Sequence, residues 1–265
     1  MPTPPQPGRI STTTVCSSIR SGGALTAWAN SWLRGAVSYD AAVSAIRGAG
    51  IGTVRGLLDH PEPNPLGWAL SAVRASGGTP LRLVLPVAGD IRGVPPIAEL
   101  VAAATRAGQL VIGSALAFVP EVDPSADGGW LAFDVPGGAS DGVSPGEQQT
   151  VAQAEGSLRL AVLRATDTLA ALDVARWNPG VESLGRGEQA LRLPPDHEPT
   201  AAALAGRAIQ LAAILDLARG DAPGAAINAH GAAQRETALR PLSVAVREAL
   251  MTAYSANPVR RTVDR

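Results

Sequence analysis

Apolar residues along this chain change their spacing several times, and each change marks an element. Near the start they recur at helical spacing over 24–34 and again over 38–47, with Ser38 placed to cap the second helix and GAG to end it. Residues 53–57 are rich in β-branched side chains and predict a strand. The turn DHPEPNP follows, then an apolar-periodic helix over 66–74 closed by Gly77 and Gly78. PLRLVLPV, at 80–87, is the clearest strand: short, aliphatic and bounded by turn residues. Pro95 and Pro96 open a helix carried by IAELVAAATRAG, which Gly108 stops. Residues 110–119 predict a further strand, DPSADGG a turn, and WLAFDV at 130–135 its hairpin partner. Strands alternating with helices predict an α/β or α+β layer with crossover connections. The expected fold is a small mixed four-stranded sheet with flanking helices, its fourth strand antiparallel to the third.

The second half has a different period. After the Gly/Pro/Ser-rich stretch PGGASDGVSPGEQ, apolar residues fall on one helical face over 148–173 (Leu158, Val162, Ala165, Leu169, Leu172) and over 201–219 (Leu204, Ala208, Leu211, Leu215). They do so again over 236–254 (Leu239, Leu242, Val246, Leu250), with Pro241 expected in the first turns. A shorter helix is expected over 222–234, started by Asp221. Helices joined by short loops predict an all-α bundle, and the alanines in them predict close approach of the axes. The expected organisation is a disordered tail over 1–23, an α/β domain over 24–136, a linker over 137–148, a helical bundle over 149–256 and a second tail over 257–265.

Composition narrows the function without naming it. The 265 residues carry 22 basic and 23 acidic side chains, a net charge of -1, so no bulk field attracts nucleic acid or an acidic membrane. Every basic residue is arginine, which excludes Schiff-base chemistry and a phosphate-loop lysine, because a guanidinium stays protonated. The single cysteine, Cys16, cannot bridge internally, and the proline-rich N-terminus lacks an apolar signal core, so the expected compartment is the cytoplasm. One cysteine and three scattered histidines offer no zinc spacing.

Candidate chemistry lies in the loops. In open α/β sheets, ligands sit outside the carboxyl ends of parallel strands. The loop after the first strand holds Asp59 and His60, and the loop after the second, AGDIRG, holds Asp90 and Arg92. If those strands are parallel neighbours, the four converge: histidine beside a carboxylate offers a base, and Arg92 an anion clamp. The plainer reading is that Asp59 and Asp90 close turns and Arg92 pairs with one of them. GASDG, at 138–142, matches the nucleophile-elbow pattern with Ser140 as nucleophile, but it lies in a long loop and no strands follow it. The glycine run GAGIGTVRG precedes a strand rather than following one, so it makes no phosphate cradle. The acids around DPSADGG have calcium-loop spacing but flank a hairpin turn. Trp28 and Trp32 share one helix face, where they are core rings or, if exposed, a partner anchor. Arg235, Arg240 and Arg247 offer part of a basic stripe, with Glu236 and Glu248 beside them.

LRLVLPVAGDIRGVP, LDVARW and ALRPLSVAVREAL resemble phrases of a group of uncharacterised conserved proteins of high-GC Gram-positive bacteria, over much of the chain from Pro80 onward. The resemblance implies a cytoplasmic bacterial protein, and it carries no activity and no catalytic residues. The expected function is therefore a non-catalytic regulatory or assembly protein. Its partner is another protein or a second copy of itself, with no nucleic acid, membrane or cofactor. The alternative is a small-molecule sensor or enzyme at the loops of Asp59, His60, Asp90 and Arg92.

Overall fold

The computed structural model describes residues 12–58, 63–122, 128–136, 149–171, 192–220 and 229–256. Helix α1 spans Thr12–Leu33, so it begins well inside the expected tail and runs through Gly22 and Gly23, which propensity alone reads as helix breakers. Packing explains them. A Cβ on Gly22 would collide with the Gln109 side chain, and one on Gly23 would overlap the ring of Tyr254. Helix α2, Tyr39–Gly48, starts where expected: the Ser38 hydroxyl accepts from the Ala41 N–H at 3.2 Å.

Six strands form one sheet in place of the expected four. They are β1 Thr53–Arg55, β2 Asn64–Pro65, β3 Arg82–Val84, β4 Leu110–Ile112, β5 Leu116–Pro120 and β6 Gly129–Asp134, in the order β2-β1-β6-β5-β4-β3. Two features of the chain hid the extra strands. β2 lies at the end of the proline-rich turn, and the apolar run over 110–119 folds back on itself, with the Gly113 N–H donating to the Leu116 carbonyl at 2.8 Å. Only Gly113 and Ser114 mark that turn, and the aliphatic residues on either side read as one run because the sheet is buried on both faces. Leu83, Leu85, Val111, Phe118, Trp130 and Val54 face one side; Val84, Leu110, Ile112, Ala117 and Val119 face the other. β1 and β6 are parallel and every other pairing is antiparallel. β5 and β6 pair as the expected hairpin.

Helix α3, Leu66–Ala75, ends at Gly77 and Gly78, both at positive φ, and the Gly78 N–H returns to the Val73 carbonyl at 3.0 Å. Helix α4, Ala98–Ala107, stops at Gly108, whose φ of 67° suits a residue without a side chain. Leu100 and Ala104 of α4 cover the Val84 face of the sheet. The helical part follows: α5 Val151–Ala171, α6 Pro199–Gly220 and α7 Ala229–Ser255. α7 is one helix where two were expected, and Pro241 lies inside it, where it removes one helical hydrogen bond. α7 packs along both α5 and α6. Small residues make that approach close, with Ala201, Ala205 and Ala208 of α6 and Ala245, Ala249 and Ala253 of α7 all buried. α6 has the length and hydropathy of a membrane-spanning helix (mean hydropathy 1.5 over Pro199–Ala218).

Sheet and helices share one core. The Leu83 face, α1, α3 and the inner faces of α5, α6 and α7 form a continuous apolar cluster. The outer edge of β3 shows how they join. Its backbone N–H groups point away from β4 at alternate residues, and each finds a side-chain acceptor. Leu81 N–H donates to Asn30 Oδ1 at 2.7 Å, Leu83 N–H to Ser255 Oγ at 3.0 Å, and Leu85 N–H to Met251 Sδ at 3.3 Å. Asn30 Nδ2 returns a bond to the Leu81 carbonyl at 2.8 Å, so this buried amide imitates a neighbouring strand. Side chains from α1 and α7 thus close an edge that would otherwise offer pairing to any extended chain.

Candidate functional site

The loop after β3 is built on a tight turn. Val87 and Asp90 exchange backbone hydrogen bonds of 3.0 and 2.9 Å, and Gly89 between them takes φ of 84°. The turn fixes the Asp90 carboxylate, which receives Arg92 Nε at 2.9 Å on one oxygen and Arg92 Nη2 at 2.9 Å on the other. Arg247 of α7, only 9% exposed, donates to the same carboxylate, and Arg92 reaches on to Glu248 Oε1 at 3.3 Å. Two acids and two arginines therefore compensate one another across the joint between sheet and helices. The Arg92 guanidinium above all holds the Asp90 carboxyl far below the usual carboxylate range, with help from Arg247 and against the effect of partial burial. The same pairing raises the Arg92 pKa. Nε and Nη1 of Arg247 are buried without an acceptor among the described residues.

This arrangement corrects the geometry expected from the sequence. The convergence of Asp59, His60, Asp90 and Arg92 required β1 and β3 to be parallel neighbours. They are separated by β6, β5 and β4, and the chain of pairings makes them run in opposite directions. Their carboxyl ends thus lie at opposite rims, because strand order follows packing rather than order in the chain. Asp59 and His60 themselves lie outside the described residues, as do Ser140 and the GASDG stretch. Arg92 pairs with the turn acid Asp90, the plainer reading of that loop. Sequence reasoning missed the contribution of Arg247 and Glu248, which it placed only in a basic stripe. No local signal marked them, because residues 247 and 248 fall between the stripe positions Val246 and Leu250, where charged residues of an amphipathic helix ordinarily stand.

Beside this loop lies an open groove of about 790 Å³ lined by Ile91, Pro96, Val101, Ala102, Thr105 and Arg106, with Ala98 at its margin. Ile91 is 45% exposed and stands between Asp90 and Arg92, so the ionic cluster sets the position of one wall. Arg106, exposed on α4, makes no ion pair among the described residues.

The two tryptophans of α1 differ in burial. Trp32 is 7% exposed, with the Arg74 guanidinium 3.8 Å from its ring centroid and Tyr39 edge-on at 5.7 Å. It is a core ring. Trp28 is half-buried, and its indole N–H donates to the Arg192 carbonyl at 2.8 Å. The segment that begins at Arg192 continues along α1: Asp196 accepts from the Ser31 hydroxyl and from Arg34 Nη2, the latter at 2.6 Å. Burial alone would raise the Asp196 carboxyl, but Ser31 and Arg34 together hold it below its ordinary value. His197 is buried with Nε2 at 3.1 Å from the Ala253 carbonyl, which can only accept, so Nε2 carries the proton. Burial lowers its pKa, against the Ala253 bond and the charge of Asp196.

Two family models match the chain. The N-terminal domain of Rv1486c-like protein matches residues 22–143, and the C-terminal domain matches residues 152–251. Uncharacterized protein Rv1486c of Mycobacterium tuberculosis strain H37Rv is 30% identical over 287 residues of alignment, which cover 88% of this chain and 95% of that protein. Uncharacterized protein MT1533 of Mycobacterium tuberculosis strain CDC 1551 matches with the same identity and coverage. No solved structure matches. The likeness read in LRLVLPVAGDIRGVP and ALRPLSVAVREAL thus extends over most of the chain, which belongs to the Rv1486c-like proteins.

Proposed function

We propose that this is a non-catalytic regulatory or assembly protein of the bacterial cytoplasm that acts by binding another protein. The groove between Ile91 and α4 carries the reading. It is open and mostly apolar, with the cation of Arg106 on its margin, and it suits an apolar segment of a partner that presents an acidic side chain. The loop beside it supports the same role. Its charges pair with one another and with α7, so the loop is organised as a rigid wall. A photo-crosslinking residue at Ala102 in the groove, and at the exposed Ala203 of α6 as control, tests this in the native cell. The expected result is an adduct of defined mass from position 102 alone, lost when Arg106→Glu reverses the charge. Equal labelling at both positions, or an adduct indifferent to Arg106→Glu, overturns the reading.

The alternative, a small-molecule sensor or enzyme at the loops of Asp59, His60, Asp90 and Arg92, has one observation in its favour, at the Asp90 loop: two buried donors of Arg247 have no acceptor among the described residues. A small anion reaching them would satisfy both. Titration with inorganic phosphate and short carboxylates tests it, with thermal stabilisation that Arg247→Met abolishes as its signature.

A further inference from the structure

Helix α5 carries two apolar stripes. Ala154, Leu158, Ala161 and Ala165 are buried in the shared core. On the opposite side of the helix, Gly156, Leu160, Leu163, Asp167 and Ala170 follow one another at spacings of four, three, four and three, and all are exposed. Leu160 and Leu163 are 47% and 58% exposed, two of the largest apolar side chains on the surface of the described residues. Alternating steps of four and three are those of a two-stranded coiled-coil seam.

The charges around this seam select a partner. Turned end for end about a point between Leu160 and Leu163, the stripe is its own complement. Leu160 meets Leu163 of a second copy, and Asp167 falls opposite Gly156 of that copy, where a Cβ would meet nothing within 4 Å, so there is room for the carboxylate. One turn along from Gly156 stands Arg159, whose side chain is 74% exposed. Arg159 shares the Glu155 carboxylate with Arg207, at 3.5 and 2.9 Å, so two guanidinium groups meet one acid and positive charge remains over. Asp167 makes no ion pair among the described residues, and its charge is the complement. The flanks agree: Arg159 comes beside Thr166 and Arg164 beside Ser157 of the second copy, so no like charges are opposed. A parallel pair would instead set Asp167 against Asp167. We propose that the outer face of α5 is a self-association surface. Two copies of the chain pair antiparallel through Leu160 and Leu163, with an Asp167–Arg159 ion pair at each end. This deepens the assembly reading and rests on it.

Light scattering and sedimentation of the full chain over a range of concentrations test the pairing. The expected result is a concentration-dependent dimer that Leu160→Asp converts to monomer; compared at concentrations where the parent is also monomeric, the unfolding midpoint is unchanged, since Leu160 is outside the core. Asp167→Arg weakens the dimer by about tenfold by facing Arg159 with a like charge, and adding Arg159→Asp restores it. With Cys16→Ser, the pair Gly156→Cys and Asp167→Cys forms disulfides between positions 156 and 167 of different copies. A monomer at every concentration, a dimer indifferent to Leu160→Asp, a double charge reversal without rescue, or disulfides joining 156 to 156 each overturn the proposal. Crosslinking through Ala102 is read on α4, independently. A monomer that still crosslinks there loses the α5 pairing but keeps the interaction reading, and a dimer without that adduct does the reverse.

Discussion

Replacing Asn30 by alanine tests how the sheet is joined to its helices. Asn30 is buried, and its amide makes two bonds to one residue, accepting from the Leu81 N–H at 2.7 Å and donating to the Leu81 carbonyl at 2.8 Å. Asn30→Ala leaves two backbone groups without partners where water has little access. Each such loss costs roughly 1–3 kcal/mol, so the expected destabilisation is about 3 kcal/mol, against well under 1 kcal/mol for an ordinary surface substitution. At about 2–4 °C per kcal/mol for a chain of this size, the midpoint falls by roughly 6–12 °C. Asn30→Asp is at least as harmful: it keeps an acceptor for the N–H but turns a carboxylate against the Leu81 carbonyl in a buried place. Ser255→Ala removes only one acceptor at a half-buried position and costs about 1 kcal/mol. Denaturant titration gives the energies, and amide hydrogen exchange reports the edge residue by residue. Asn30→Ala should release the Leu81 amide, and Ser255→Ala the Leu83 amide. A loss below about 1 kcal/mol for Asn30→Ala, or an unchanged Leu81 exchange rate, would refute the idea that side chains serve as the missing strand.

Substitutions at Gly23, His197 and Asp90 probe other joints of the fold. Gly23→Ala should gain up to about 1 kcal/mol of helix propensity yet destabilise the protein by roughly 1–3 kcal/mol net, because its Cβ overlaps the Tyr254 ring; Tyr254→Leu in the same chain should make the two effects non-additive in a double-mutant cycle. His197 has a folded pKa below its unfolded value of about 6.5, so its neutral form is favoured on folding, and stability should be full above that pH and fall as the pH drops below it. His197→Gln keeps a donor for the Ala253 carbonyl and should flatten that slope in melting curves recorded across it. Asp90 is the opposite chemical type with the same sign. Its depressed carboxyl stabilises the fold above the ordinary carboxylate pKa of about 4, and that stability fades in acid as the pH falls through the folded value. Asp90→Asn should therefore cost about 2 kcal/mol at neutral pH by leaving Arg247 without its carboxylate, with the gap to the parent closing in acid.

What could be read in the chain was what neighbouring residues decide among themselves. Ser38 caps α2, Gly108 ends α4, and Gly77 with Gly78 closes α3, because each depends on a backbone conformation only a few residues long. The pairing of Arg92 with Asp90, two residues apart, was legible for the same reason. The misreadings share a different cause. Gly22 and Gly23 stay helical because Gln109 and Tyr254 press against them, and neither contact has any local trace. The turn at Gly113 had a short local mark, Gly113-Ser114, and was missed because the runs on both sides of it are aliphatic and buried on both faces of the sheet. β1 pairs in parallel with β6 rather than with the next strand in the chain, so the loops after β1 and β3 were separated by a choice made far from either. Arg247 approaches Asp90 from α7, and only the fold could bring them together.

The two ends of the sheet meet the same hazard by unlike means. β2 is a two-residue strand containing Pro65, which lacks a donor and is too short to template another chain. β3 is longer; Arg82 lies within it and Pro80 and Pro86 flank it, but its outward N–H groups are satisfied by Asn30, Ser255 and Met251 on two helices. Helices α1 and α7 therefore do what a seventh strand would do, and the ionic cluster of Asp90, Arg92, Arg247 and Glu248 fastens α7 to the loop that follows the same strand. An element committed both to the shared core and to the sheet edge has little freedom to move when a partner arrives. Binding must then use faces that this framework leaves open, and two apolar ones are the outer side of α4 with Ile91 and the outer side of α5 with Leu160 and Leu163. Because both lie on helices anchored by their opposite faces, each would meet a partner already ordered, without the entropic cost of folding on contact.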